Sequence, residues 1–293
     1  MAGKLDENLA VAFEELLGRP GGQENPIQAF IEQHTAFMLT PGLLNHGLQF
    51  NSVISKFPIG GRSADYAYLT KSSDEWKLIL VELEDSHKKL FLPSSKHVGF
   101  TAEMNDAIAQ VDVWRDYWKE QSKAVIESLD PLLVPQRRNP VSLECVLIIG
   151  RSAEKEHDAA KSKRLAALRA DKRIHVMTYD TVLRAYRRGH ETPKAILTRT
   201  VNGYRLRSAE GMPANIFAYV YPEHLTLSPE AEAALRADGY AMDAWFRNEL
   251  LTVNQKWPMN EAWRLAEDSG AHPSMVRLLK SAKDRRAGES ASD

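Results

Sequence analysis

The sequence predicts an α/β protein in which a mixed central sheet is flanked by helices, with additional N-terminal helices and a mostly helical C-terminal region. Three observations predict it. Residues 65–70 and 76–84 are apolar-rich runs on either side of Lys71, Ser72, Ser73 and Asp74, the signal of a turn between two strands. Residues 143–149 form a nearly continuous apolar run of the length of a buried central strand. Within 101–122, Met104, Ala107, Ile108, Val111, Trp114 and Trp118 recur at helical spacing, so this helix should lie across the sheet.

The remaining elements follow in order. Residues 4–18 carry Leu5, Leu9, Ala12, Phe13 and Leu16 on one stripe, a short amphipathic helix ended by the glycine-rich break at 18–22. A second helix is expected over 26–38, opened by Pro26. Residues 50–57 read as a strand, turned by Pro58, Gly60 and Gly61 into the hairpin. Loops are expected at 92–100 and 131–141, a charged helix at 154–170, a strand at 174–178 and a helix at 181–188. This β-β-β-α-β-α-β-α order is that of a sheet with helices on its faces. Beyond it, 203–207 and 216–220 are possible strands, 228–285 reads as helices, and 287–293 as a disordered tail. The domain reading is therefore an N-terminal helix at 1–22, a core at 23–190 and an accessory region at 191–286.

At 293 residues the chain can bury a sizeable core, and its net charge of −1 gives no global field toward nucleic acid or membrane. Any nucleic-acid contact must use a local patch. The single cysteine, Cys145, sits inside an apolar run and reads as a buried strand thiol; it excludes an intrachain disulfide. No apolar stretch reaches spanning length and the N-terminus lacks a signal-peptide pattern, which predicts a cytoplasmic protein without membrane contact.

The chemistry concentrates in the hairpin. Folded about its midpoint, Asp65 lies opposite Glu82, and strand alternation points Glu82 and Glu84 the same way. Three carboxylates at the end of one hairpin form an oxygen-rich cluster of the kind that holds Mg²⁺ or Mn²⁺. Metal-dependent phosphodiester cleavage is the leading expectation. There is no dinucleotide fingerprint, phosphate-binding loop or zinc spacing to favour another enzyme class.

Several further pieces occur in order: Val81-Glu82-Leu83-Glu84 running on to Lys88 and Lys89, Gln110 and Trp114 on the long helix, Ile148-Ile149-Gly150-Arg151, and Val176-Met177-Thr178-Tyr179-Asp180. Over about 24–190 the chain resembles the Shedu family of bacterial anti-phage defence proteins, a branch of the PD-(D/E)xK nuclease superfamily. The resemblance implies a restriction-endonuclease-like core and a metal-dependent DNA endonuclease, with DNA as partner and a homo-oligomeric assembly. It implies Asp65 and Glu82 as metal ligands, Gln110 as the helix glutamine of a Q-x-x-x-[WY] element with Trp114 in the aromatic place, and Glu24 or Glu32 as an upstream helical glutamate. One departure stands out: Glu84 occupies the superfamily's lysine position. Glu84 would then ligate the metal or act as a base, a lysine from elsewhere such as Lys88 or Lys89 would reach in, or cleavage would be lost.

Neighbouring groups have plainer readings. Trp114 and Trp118 lie on the apolar stripe and read as core, and His87 as an exposed loop histidine. Candidate phosphate contacts are Arg137 and Arg138, Arg151, the run Lys161-Ser162-Lys163-Arg164, and Arg184 with Arg187 and Arg188. The alternative function is a catalytically silent nuclease-fold protein that binds DNA or assembles with partners. An unrestrained nuclease would harm its host, so regulation through residues 228–293 is expected.

Overall fold

The computed structural model describes residues 6–21, 24–93, 98–134, 136–156, 158–213, 216–217, 219–247 and 276 of the chain. Apart from Val276, the expected helices beyond 247 and the tail at 287–293 lie outside the described residues.

One eight-stranded mixed sheet organises these residues. Its strands are β1 (Ser52–Ile59), β2 (Arg62–Lys71), β3 (Trp76–Leu83), β4 (Val141–Ile148), β5 (Ile174–Met177), β6 (Ala195–Arg199), β7 (Tyr204–Ser208) and β8 (Leu225–Leu227), in spatial order β5-β4-β3-β2-β1-β6-β7-β8. β1, β2 and β3 form an antiparallel meander, while β4 joins β3 in parallel and β5 joins β4 in parallel. A parallel neighbour needs a crossover. Helix α3 (Ala102–Leu129) supplies it between β3 and β4, and α4 (Ala159–Lys172) between β4 and β5.

The two sheet faces bury different sets of side chains, as alternation requires. On one face Leu69, Leu78 and Leu80 share a core with Ala107, Val111 and Trp114 of α3 and with Leu168 of α4. On the other, Tyr66, Tyr68, Ile79 and Val81 pack with Phe13 of α1 (Glu7–Gly18), Ile27 of α2 (Glu24–Gln33) and Tyr179 and Val182 of α5 (Tyr179–Arg187). The sheet is thus sandwiched between helical layers. Local chemistry sets the helix starts: Asp6 caps α1 through the Asn8 N–H, Thr101 caps α3 through Met104, and Asp158 caps α4 through Ala160 and Lys161.

Some expectations need correction. The second helix stops at Gln33 and passes into a separate 3-10 turn at Thr35–Phe37, and the long helix runs on to Leu129. Ile216 and Phe217 form a 3-10 turn, not a strand; the apolar run there fills the core beside Tyr240 and Trp245, a role that hydrophobicity alone does not distinguish from strand pairing. After 190 the possible strand at 203–207 is β7, flanked by two strands that were not expected: β6, which pairs with β1 in parallel, and β8. Two helices follow, α6 (Pro229–Ala237) and α7 (Met242–Phe246).

A close approach beside the end of β3 requires a glycine. Gly150, just after β4, has φ of +61°, and a Cβ there would sit 2.5 Å from the Lys88 carbonyl oxygen. The Gly150 N–H donates to Asp85 O at 3.3 Å, and its carbonyl accepts from the Tyr179 N–H at 3.2 Å. Its bare backbone therefore lets the loop after β3 lie against the ends of β4 and α5. Gly150→Ala should cost about 1–3 kcal/mol from backbone strain, with the contact adding to it. Urea unfolding that gives the wild-type midpoint and slope would contradict this packing.

Candidate active site

The β2–β3 register pairs Tyr66 with Val81, so the next residues outward, Asp65 and Glu82, face each other at the open end of the hairpin. Asp65, Glu82 and Glu84 are only 4%, 5% and 6% exposed. Burying three carboxylates together is costly unless each has a partner. Lys56 Nζ donates to Asp65 Oδ1 at 2.6 Å, and the Leu83 N–H donates to Oδ2 at 2.7 Å. Gln110 Nε2 donates to Glu82 Oε1 from α3, and Lys88 Nζ donates to Glu84 Oε2 from the loop after β3.

One atom is left over. Glu82 Oε2 is buried and has no hydrogen-bond partner among the described residues. Burial, then the charges of Asp65, Glu84 and Glu24, push the Glu82 carboxyl up to about 9, with Lys56 pulling weakly the other way. Glu24, the first residue of α2, is half-buried, and its carboxyl is raised by burial and then by Glu84 and Asp65. It therefore belongs to the same electrostatic cluster. Burial alone would lower Lys88, yet its hydrogen bond to Glu84 and the surrounding acids hold it above the usual lysine range.

Four carboxylates, Asp65, Glu82, Glu84 and Glu24, thus share two ammonium groups, Lys56 and Lys88. Full ionisation would leave a deficit of two positive charges, the charge of one divalent cation. The donors are all oxygen, the set that suits Mg²⁺ or Mn²⁺. As they stand, no three Asp, Glu, His or Cys side chains among the described residues close into a ready metal cage. Lys56, Lys88 and Gln110 each hold one of the three buried acids instead.

The other expected residues separate clearly. Glu32 points away from the cluster, accepting from Ser55 at 2.5 Å and pairing with Arg207 at 3.0 Å. Lys89 pairs with Glu154 at 2.9 Å, and the His87 ring lies on Asp85 at 3.1 Å, half-exposed. Trp114 is fully buried and Trp118 packs against the same core. Cys145 is buried, and burial pushes its thiol to about 12, so it is inert as a nucleophile at neutral pH. Lys56 was not singled out from sequence. It has a left-handed backbone, φ +49°, in the interior of β1. Its signal was available: folding the chain about Gly60 and Gly61 pairs Ile59 with Arg62 and carries Lys56 opposite Asp65.

The glycine–arginine and tyrosine–aspartate pieces hold the site from behind. Tyr179 Oη donates to the Glu84 carbonyl at 2.6 Å, and Asp180 accepts from Arg151 Nη2 at 2.7 Å and from the Ser152 N–H at 2.6 Å. Together with Gly150 they fix the end of β3 and the loop that carries Lys88.

This is an α/β protein with a buried acidic cluster at the end of a hairpin. A sequence model of the family described as Shedu protein SduA, C-terminal, matches residues 21–183, more than half of the chain. The chain belongs to that family, and membership implies a role in anti-phage defence. No curated protein matches the chain. Among the described residues no helix is long and apolar enough to cross a membrane.

The raised Glu82 carboxyl has a consequence for stability. In the unfolded chain Glu82 ionises near 4.5, and in the folded protein near 9. Its protonated form is favoured in the fold, so its contribution is full below about 4.5 and is lost as pH rises toward about 9. In chelator-treated protein, Glu82→Gln should therefore gain stability over wild type as pH rises through this window. Parallel melting curves with a constant difference from pH to pH would refute the assignment.

Proposed function

We propose that the protein is a Mg²⁺- or Mn²⁺-dependent DNA endonuclease of phage defence that hydrolyses phosphodiester bonds at Asp65, Glu82 and Glu84. The observation that carries this reading is the buried Glu82 Oε2, without a hydrogen-bond partner among the described residues, in a cluster that full ionisation would leave short of two positive charges. Asp65, Glu82 and Glu84 would hold the ion. When bound, the ion supplies neutralisation of phosphate charge and acidification of a water.

The chain's own residues do the rest. Gln110 ties down Glu82 Oε1 and so leaves Oε2 as the free donor. Glu84 takes the lysine position of the nuclease superfamily and removes a positive charge there. Lys88, tethered to Glu84, restores one beside it, available to an anionic phosphate oxygen or to the attacking water. Lys56 acts likewise beside Asp65. Burial excludes bulk water and strengthens each of these contacts. A homo-oligomeric assembly belongs to the same proposal.

A second reading has one observation in its favour: protein donors already occupy each of the three acids, as in a silent nuclease fold that binds DNA or assembles with partners. A plasmid assay with supercoiled and linear DNA separates the two. The nuclease reading predicts cleavage with Mg²⁺ or Mn²⁺ that EDTA abolishes, and its loss in Asp65→Ala and Glu82→Ala. Lys88→Ala should slow cleavage by about 10²-fold, the scale of removing one electrostatic contact. Wild-type protein that cuts neither DNA form with either metal would favour the silent fold.

A further inference from the structure

A second polar feature lies at the same end of the sheet. A cleft of 620 Å³ opens between β6, β7 and the start of α6, with Thr198, Arg199, Thr200, Arg205, Arg207 and Glu230 on its walls. Arg207 is held by Glu32 at 3.0 Å and by Ser55 at 3.5 Å. Arg199 and Arg205 are exposed and have no acidic partner among the described residues. Two guanidinium groups without an acidic partner among the described residues, lining one cleft, suit an anion with several acceptor oxygens.

The register connects this cleft to the carboxylates. Ser55 of β1 pairs with Thr198 of β6, and Thr198 pairs with Arg205 of β7. The β1–β6 pairing ends at Ser55 and Thr198, and the next residues along the two strands are Lys56, which holds Asp65, and Arg199. Asp65, Lys56 and Arg199 thus lie at the same end of three adjacent strands. With strands about 4.8 Å apart, the three steps from β2 to β7 span about 14 Å. At a rise of about 3.4 Å per nucleotide, that is about four nucleotides of one strand. A small anion would fill the cleft alone, but only a polyanion spans both the cleft and the carboxylates.

We propose that this arginine cleft grips the phosphodiester backbone of a nucleic-acid strand, a few nucleotides from the segment held at Asp65, Glu82 and Glu84. The inference rests on the nucleic-acid reading of that site but not on its cleaving anything. Arg199 and Arg205 make the phosphate contacts, and Arg207 sets the wall through Glu32. Glu230 is the opposing charge and limits the affinity.

Fluorescence anisotropy of a short labelled DNA duplex, titrated with the full chain in EDTA, tests this without any cleavage. The Arg199→Ala/Arg205→Ala protein should bind about tenfold more weakly, with a salt dependence shallower by about two phosphate contacts. Glu230→Gln should bind about twofold more tightly, a gain that misfolding cannot mimic. Both arginines are exposed, so the thermal midpoint of the double variant should match wild type. Unchanged affinity and salt slope in the double variant overturn the proposal. Arginine-dependent binding by a protein that never cuts DNA upholds the cleft and removes only the nuclease reading. Metal-dependent cutting together with arginine-independent binding removes only the cleft.

Discussion

Uncompensated negative charge at the end of the β2–β3 hairpin is the constraint around which the rest of the site is arranged. Asp65, Glu82 and Glu84 are buried side by side, where mutual repulsion and desolvation both oppose ionisation. A protein selected for stability alone would place apolar side chains there. This chain keeps the acids and brings donors to them from three directions: Lys56 across the sheet, Gln110 from α3 and Lys88 from the following loop. Even so, the Glu82 Oε2 has no hydrogen-bond partner among the described residues. Stability surrendered at one buried polar group is a recurrent mark of a binding or catalytic site.

The scaffold makes that arrangement rigid. The meander places Asp65 against Glu82 by register alone, and α3 is buried against the same face through Ala107, Val111 and Trp114. Gln110 borders that stripe, so packing of the helix fixes the height at which its amide meets Glu82. On the far side, the Tyr179 hydroxyl and the Arg151–Asp180 ion pair brace the Glu84 backbone and the turn after β4. Gly150 admits the Lys88 backbone where any side chain would collide. Positions that look unrelated along the chain thus serve one task, holding a loop lysine against a strand glutamate.

Much of this was legible in the sequence because it depends on period and on one turn. Strand alternation and the break at 71–74 suffice to face Asp65 with Glu82, and the turn forms there with the Ser72 N–H donating to Glu75 O at 2.9 Å. The helical stripe that ends in Trp114 and Trp118 located α3 for the same reason. Other parts were harder to read. Glu24 and Glu32 lie on one helix, about 12 Å apart along its axis, and nothing in their spacing says which one faces the acids. Lys56 escaped notice because its partner lies across β1 and β2, and its left-handed backbone interrupts the alternation. The strand β6 was missed because five residues after Pro193 and Lys194 give too short a signal. Its place beside β1 depends on a parallel pairing between distant segments.

The central claim is that the acidic cluster takes up one divalent cation, with Glu82 as the ligand that must first lose its proton. Isothermal titration of Mn²⁺ into chelator-treated protein near neutral pH, repeated in buffers of different ionisation enthalpy, tests it most directly. The account predicts binding accompanied by release of about one proton per ion, with the proton release abolished in Glu82→Gln. No binding heat, or binding without proton release that Glu82→Gln leaves unchanged, would contradict it.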